Sequence, residues 1–275
     1  MQLLTLNTHS WQEENQEEKM ESIVAAILNW DSDYICFQEA NQRHDAEVAT
    51  ELPGYLEVEK QFNVPVKKDN FIKIIAEKLL AAGSTYYWSW VSINIAFDQY
   101  DEGVGILAKK PFQPHDLALS EIQDFNNYRT RHALLAEFDH LNLISTHFSW
   151  WYDDKEDLAF AHEWQQVMPY LKTDKPSLIA GDFNNPANEK DMGYDYIQKT
   201  MPTLHDSWHS AKQTSGDITM GGEIDGWIGQ AEGKRIDFIF GNETIHFDSH
   251  EVVFSPNHPP IVSDHYGIHA VFSII

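Results

Sequence analysis

Asn7, Glu39, His147, Asp182, Asn184, Asp237 and the pair Asp264-His265 each close or directly follow an apolar run. Brought to one place, they would assemble four carboxylates, two amides and two imidazoles. Unpaired, so many carboxylates would repel one another and their pKa values would rise. A hard divalent cation removes that conflict, and oxygen ligands select magnesium or manganese over zinc. The sharpest of these stretches is Ser-Leu-Ile-Ala-Gly-Asp-Phe-Asn-Asn-Pro at 177–186, a short apolar run between two prolines. It reads as a buried strand with Asp182 and Asn184 at its C-terminal end. Extended geometry would send both side chains to one side, and Gly181 would let a ligand approach the backbone. The plainer alternatives are a turn at Asp182, a strand-end cap at Asn7, a core imidazole at His147 and a buried partner of Arg235 at Asp237.

The elements that must position these groups are legible as patterns. Residues 2–7, 34–38, 103–108, 235–240 and 267–274 read as strands, and 132–138 with 141–147 as a hairpin. Residues 16–29 and 70–82 carry apolar residues at helical spacing, as does 155–171. Residues 85–97 are crowded with aromatics, and the glycine-rich stretch after Asp182 reads as loops with short strands. No repeat or linker divides the 275 residues, so one domain is expected: two packed sheets with helices outside.

The charge balance narrows the partners. There are 19 Lys and Arg against 43 Asp and Glu, a formal charge of −24, and no basic stripe. Such a surface repels polyanions and anionic membranes. Duplex binding draws most of its affinity from many Lys and Arg contacts to phosphates, which this chain cannot supply. Cys36 is the single cysteine, within an apolar run, so no internal disulfide is possible. No stretch is long and apolar enough to span a bilayer, and the N-terminus lacks a basic signal-like region. The expectation is a cytoplasmic protein.

The ordered set Leu6-Asn7-Thr8, Phe37-Gln38-Glu39, Ser145-Thr146-His147-Phe148, Ala180-Gly181-Asp182-Phe183-Asn184, Arg235-Ile236-Asp237-Phe238 and Ser263-Asp264-His265 resembles the endonuclease/exonuclease/phosphatase superfamily. The resemblance spans nearly the whole chain and implies a DNase I-like fold of class α+β, a four-layer α/β/β/α sandwich of two mixed sheets. It also implies roles. Glu39 is the main metal ligand, with Asn7 and Asp264 nearby. Asp182 orients or deprotonates the attacking water, and Asn184 holds a phosphate oxygen. His265 stabilises the phosphoryl charge, Asp237 orients His265, and His147 is a second phosphate-side imidazole. Arg131 would bind phosphate, with Arg129 as a rival. The chemistry asks for these types independently: water attacking phosphorus needs a base, charge neutralisation and in-line placement.

The superfamily spans several phosphate esters, so the fold leaves the substrate open. Trp11, Trp151, Asp225 and Trp227 follow or flank the motifs, and aromatic faces beside acidic groups suit sugar rings. These segments resemble a bacterial branch that includes sugar-phosphate phosphatases, the maltose 6'-phosphate phosphatase among them. The expectation is a small phosphorylated sugar as substrate, with no nucleic acid or membrane partner. The alternatives are an endonuclease or other phosphodiesterase, and a non-catalytic binder of a phosphorylated ligand.

Overall fold

Along the first strand, β1 (Gln2–Asn7), side chains alternate between two cores. Leu3 enters the apolar layer between the sheets, while Leu4 and Leu6 enter the layer beneath the helices. The next strand, β2 (Tyr34–Gln38), does the same, with Cys36 on one side and Ile35 and Phe37 on the other. This period of two is what a sheet covered on both faces requires. The structure, a computed structural model, describes residues 1–151, 159–172, 174–224, 227, 229 and 232–275.

The remaining strands are β3 (Gln42–Arg43), β4 (Tyr87–Ala96), β5 (Tyr100–Ala108), β6 (Gln113–Ala118), β7 (His132–Glu137), β8 (Asn142–His147), β9 (Ser177–Asp182), β10 (His205–Asp206), β11 (Gln213–Ser215), β12 (Asp237–Gly241), β13 (Ile245–Val253) and β14 (Gly267–Ile274). The helices are α1 (Gln16–Trp30), α2 (Phe71–Ala81), α3 (Ala159–Leu171), α4 (Gly193–Thr200) and the single turn α5 (Ser207–Ser210). One sheet runs β11-β13-β14-β1-β2-β5, with β3 continuing the line of β2 against β5 and β4 on the far side of β5. The other runs β10-β12-β9-β8-β7-β6. Both are mixed: β1–β2 and β8–β9 are parallel pairs in otherwise mainly antiparallel ladders. Three apolar layers separate the four: α1 and α2 pack on the first sheet, the sheets pack face to face, and α3 and α4 cover the second. This is the expected α/β/β/α sandwich. No described helix is long and apolar enough to cross a membrane.

The structure departs from the sequence expectation chiefly after Asp182: α4 falls in the stretch read as loops with short strands, and the nine-residue β13 lies between the strands expected at 235–240 and 267–274, where no strand was expected. In β13 the polar residues His246, Asp248, Ser249 and Glu251 and a bulge between Phe247 and Ser249 hide the alternation. Strand β6 was likewise masked by polar residues on an outer edge. Residues 155–158 of the expected third helix lie outside the described residues.

Two buried histidines give the first sheet a measurable acid sensitivity. His250 on β13 bonds Ser207 Oγ at 2.8 Å, and His269 on β14 stacks on Trp30 at 4.6 Å. Burial drives each pKa down to about 4, helped by Arg235 at His250 and by His258 at His269. A folded pKa below the free value means the unfolded chain takes up the proton first, so stability is lost as pH falls from about 6.5 towards 4. Each site should cost about 2 kcal/mol by pH 5. Other histidines shift the opposite way, so the readout is a difference: His250→Asn should be less acid-sensitive than wild type by about that amount. Equal urea-midpoint shifts between pH 7.5 and pH 5 in both proteins would refute it.

Candidate active site

The C-terminal ends of β1, β2, β8 and β9 meet where the two sheets face each other. Polar bonds tie that seam: Gln38 Nε2 donates to Ser145 Oγ at 3.1 Å and Asn7 Nδ2 to Asp182 Oδ2 at 3.0 Å. At the seam opens a cleft of about 330 Å³, lined by Glu39, Asp182, Asn184, His147, His265 and Asp264, with Arg131, Glu102 and His9 beside them.

Glu39 leaves the sheet for a physical reason. It takes a left-handed conformation (φ 45°), which interrupts the pairing with β5 between β2 and β3. Its carbonyl is caught by Thr8 Oγ1 at 2.9 Å and Ser10 Oγ at 2.6 Å, so the turn after β1 holds the break open. Such strain, fixed by neighbouring bonds, is common where a side chain must be aimed. Burial, with the Glu102 carboxylate second, pushes the Glu39 carboxyl above its ordinary range.

Asp182 sits on the last residue of β9, opposite His147 on β8 and Asp237 on β12. Gly181 before it is required by packing rather than by a ligand: a Cβ there would lie 2.0 Å from the Thr146 carbonyl oxygen, and φ is 148°. Asp182 Oδ1 accepts from the Asn184 backbone N–H at 2.8 Å, and Asn184 is left-handed (φ 51°). The two side chains are therefore brought together by an Asx turn, not by extended spacing. Asn184 Nδ2 reaches His147 Nε2 at 3.1 Å. Asp182 Oδ2 lies 3.6 Å from His147 Nε2 and 3.7 Å from His265 Nε2.

His265 is held through its other nitrogen by Asp237 Oδ2 at 2.9 Å. Burial works against its charged form, but Asp237 and Asp182 outweigh that and hold its pKa well above the ordinary value. Asp237 is thus not the partner of Arg235, which pairs with Asp206 at 2.7 Å. His147 is held by Glu102 at 3.2 Å, and Arg131 Nη1 lies 3.4 Å from the same carboxylate. Arg131 lines the cleft, whereas Arg129 lines a separate cavity of about 260 Å³ with His162 and Glu163.

Several sequence expectations need correction. Asn7 turns its amide nitrogen to Glu39 at 2.8 Å, while its oxygen accepts from the His9 N–H at 3.1 Å. Asn7 thus orients the Glu39 and Asp182 carboxylates through Nδ2, while its Oδ1 keeps a second lone pair that a cation could use. Trp11 and Trp151 do not line the cleft. Trp11 packs edge-on against Phe71 and donates to the Asn41 carbonyl at 3.1 Å, and Trp151 packs on Phe160 and Tyr196. Trp227 reaches the site indirectly, donating to Asn184 Oδ1 at 3.2 Å. Asp225 lies outside the described residues. Glu102 and His9 were missed, though Glu102 precedes the strand-like Gly-Val-Gly run and His9 follows the Asn7 motif.

The residues present fit a divalent cation. Glu39, His147 and Asp182 offer ligand atoms all within 4.8 Å of one another, and Asp264 bears electrostatically on Glu39. A crowded, oxygen-rich set whose carboxyl is pushed up by its neighbours is the donor chemistry that such an ion relieves.

The endonuclease/exonuclease/phosphatase family model matches residues 5–265. Among solved structures, an endonuclease/exonuclease/phosphatase family protein from Leptotrichia buccalis C-1013-b is 24% identical, with a TM-score of 0.84 over 100% of both chains. A mannosyl-6-phosphatase from Bacteroides thetaiotaomicron VPI-5482 is 14% identical, with a TM-score of 0.66 over 100% of both chains. D. rerio TDP2, in complex with a single-strand DNA product, is also 14% identical at 0.66, over 99% of this chain and 98% of that one. No curated protein matches the chain. From β1 to His265 the motif-bearing strand ends lie within the matched span, and the chain belongs to the endonuclease/exonuclease/phosphatase family, hydrolases of phosphoric esters that generally use divalent metal ions.

Proposed function

We propose that this chain is a metal-dependent phosphomonoesterase that hydrolyses a small phosphorylated sugar by in-line attack of water. The observation that carries the reading is the Asp182 carboxylate, fixed by Asn7 and Asn184 and lying between two imidazoles. Glu39, with Asp264 beside it, would hold magnesium or manganese, which supplies Lewis acidity and offsets phosphate charge. Asp182 orients the water and takes its proton. His265, kept charged by Asp237, donates from Nε2 to a phosphoryl oxygen as negative charge builds there. His147, Arg131 and Asn184 face the same cleft and bind the remaining phosphate oxygens.

The substrate class rests on charge and size. A formal charge of −24 opposes a polyanion, and Arg131 is the one arginine lining the cleft among the described residues. A cleft of about 330 Å³ is at the small end for ligand pockets. The mannosyl-6-phosphatase and the DNA-bound TDP2 resemble this chain equally, so the likeness alone does not choose between them. The test sets hexose phosphates, nucleotides and nicked duplex DNA against the enzyme with magnesium, manganese or a chelator. Phosphate release from a hexose phosphate, abolished by the chelator, is expected, with DNA left intact. Strand cleavage without phosphate release from any sugar ester would make the chain a nuclease. No turnover of any ester would make it a binder.

A further inference from the structure

The wall of the cleft beside the Glu102–His147 pair is built from the far end of β4, and it is built at a cost. A bulge between Ser92 and Asn94 interrupts the β4–β5 ladder, so that Asn94 pairs with Glu102. Bulges of this kind re-aim side chains beside functional sites. Asn94 is 1% exposed, and its Nδ2 faces the carbonyls of Tyr128 and Thr130 at 3.4 and 3.3 Å. Those two acceptors fix which end of the amide is nitrogen. Asn94 Oδ1 is left without a partner, as are Trp150 Nε1 and Arg131 Nε in the same cleft wall. An orphaned buried polar atom is costly unless something else satisfies it.

The hairpin tip beyond Asn94 is strained. Phe97 and Asp98 both have φ 53°, and Gln99 N bonds the Ala96 carbonyl at 3.0 Å, which defines a type I′ turn. That turn favours Asn and Gly, and a bulky Phe is poorly suited to it. Its ring is half exposed at the cleft mouth. Tyr128, also more than half exposed, lines the same mouth from a loop that Asn94 and Ile95 staple to β4. A strained turn that holds an apolar ring in water serves no packing need.

We infer that Phe97 and Tyr128 form an aromatic rim for a hydroxyl-bearing ring of the substrate, with Asn94 Oδ1 accepting from a ring hydroxyl and Trp150 Nε1 donating to a ring oxygen. This deepens the sugar-phosphate reading and rests on it for the identity of the ring. The mixed donor and acceptor pattern suits a polyol, each of whose hydroxyls both gives and accepts. A carbonyl oxygen such as Asn94 Oδ1 would repel a second phosphate.

The test uses Phe97→Asn, which removes the ring but suits the left-handed turn. The melting temperature should hold or rise, since strain is relieved. The kcat/KM for mannose 6-phosphate or glucose 6-phosphate should fall about tenfold, mainly through KM, while ethyl phosphate is hydrolysed as before. Phe97→Trp should restore the selectivity, and Trp150→Phe should lose part of it. A lower melting temperature in Phe97→Asn with unchanged selectivity would make the ring structural and overturn the inference. Equal losses on the sugar phosphate and on ethyl phosphate would overturn it too. If wild type cleaves nicked DNA and no hexose phosphate, the sugar reading falls. The rim then stands only if Phe97→Asn lowers kcat/KM for DNA without altering inhibition by inorganic phosphate.

Discussion

Asp182→Asn is expected to lower kcat by about a thousandfold while leaving KM within a few-fold. An amide keeps the size of the carboxylate and can still meet the Asn184 N–H, so the local turn should survive. It cannot accept a proton from water, and that loss falls on the transition state alone. His265→Gln should act in the same sense, because a neutral amide gives no charged donor to the phosphoryl oxygens. Its partner Asp237 is buried and would lose its only imidazole contact, so this variant should also unfold more readily. Single-turnover kinetics on the best ester, alongside thermal unfolding, separate the two effects. A variant with raised KM and normal kcat would show that Asp182 binds substrate rather than acting in the chemical step.

Glu39→Gln should show the second large effect, on the metal. The variant should need at least about tenfold more magnesium for half-activation and lose about a hundredfold in activity at saturation. Stability supplies an independent readout. Magnesium should raise the melting temperature of wild type, since an ion bound only by the folded state stabilises it, and should not raise that of the variant. Without metal the variant should be the more stable protein, because neutralising Glu39 removes its repulsion with Glu102 in a site where burial already penalises charge. Unchanged magnesium dependence in both assays would place the ion elsewhere.

The residues that could be read from the sequence were those that end apolar runs. Glu39 and Asp182 stand at the ends of buried strands, while Asp237 opens β12 and His265 lies just before β14, so the reading caught strand boundaries at one edge of the sandwich rather than strand ends alone. Glu102 could not be read that way, because it faces Glu39 only through a break in the pairing with β5 between β2 and β3, which is a property of the register. Trp11 and Trp151 were read as a sugar floor because they follow motifs, but nearness in sequence does not say which way a ring turns, and both turned inward. Phe97 and Tyr128 lie in a turn and a loop, where no periodicity marks a side chain as facing a cleft. The sandwich itself was legible because its strands alternate between two apolar layers, and β13 was lost because a bulge and polar residues spoil that alternation.

The pairing of β1 with β14 carries a consequence for synthesis. The first sheet holds strands from the start of the chain and from its far end, while the second sheet is made wholly from the stretch between them. A growing polypeptide therefore completes β1 early but leaves the edge away from β2 bare until β14 has emerged, with Asp264 and His265 made just before that strand. Until then β1 presents an unpaired edge to other nascent chains, the usual hazard for such strands. A fragment that stops before His265 would lack both that imidazole and the strand that shields β1.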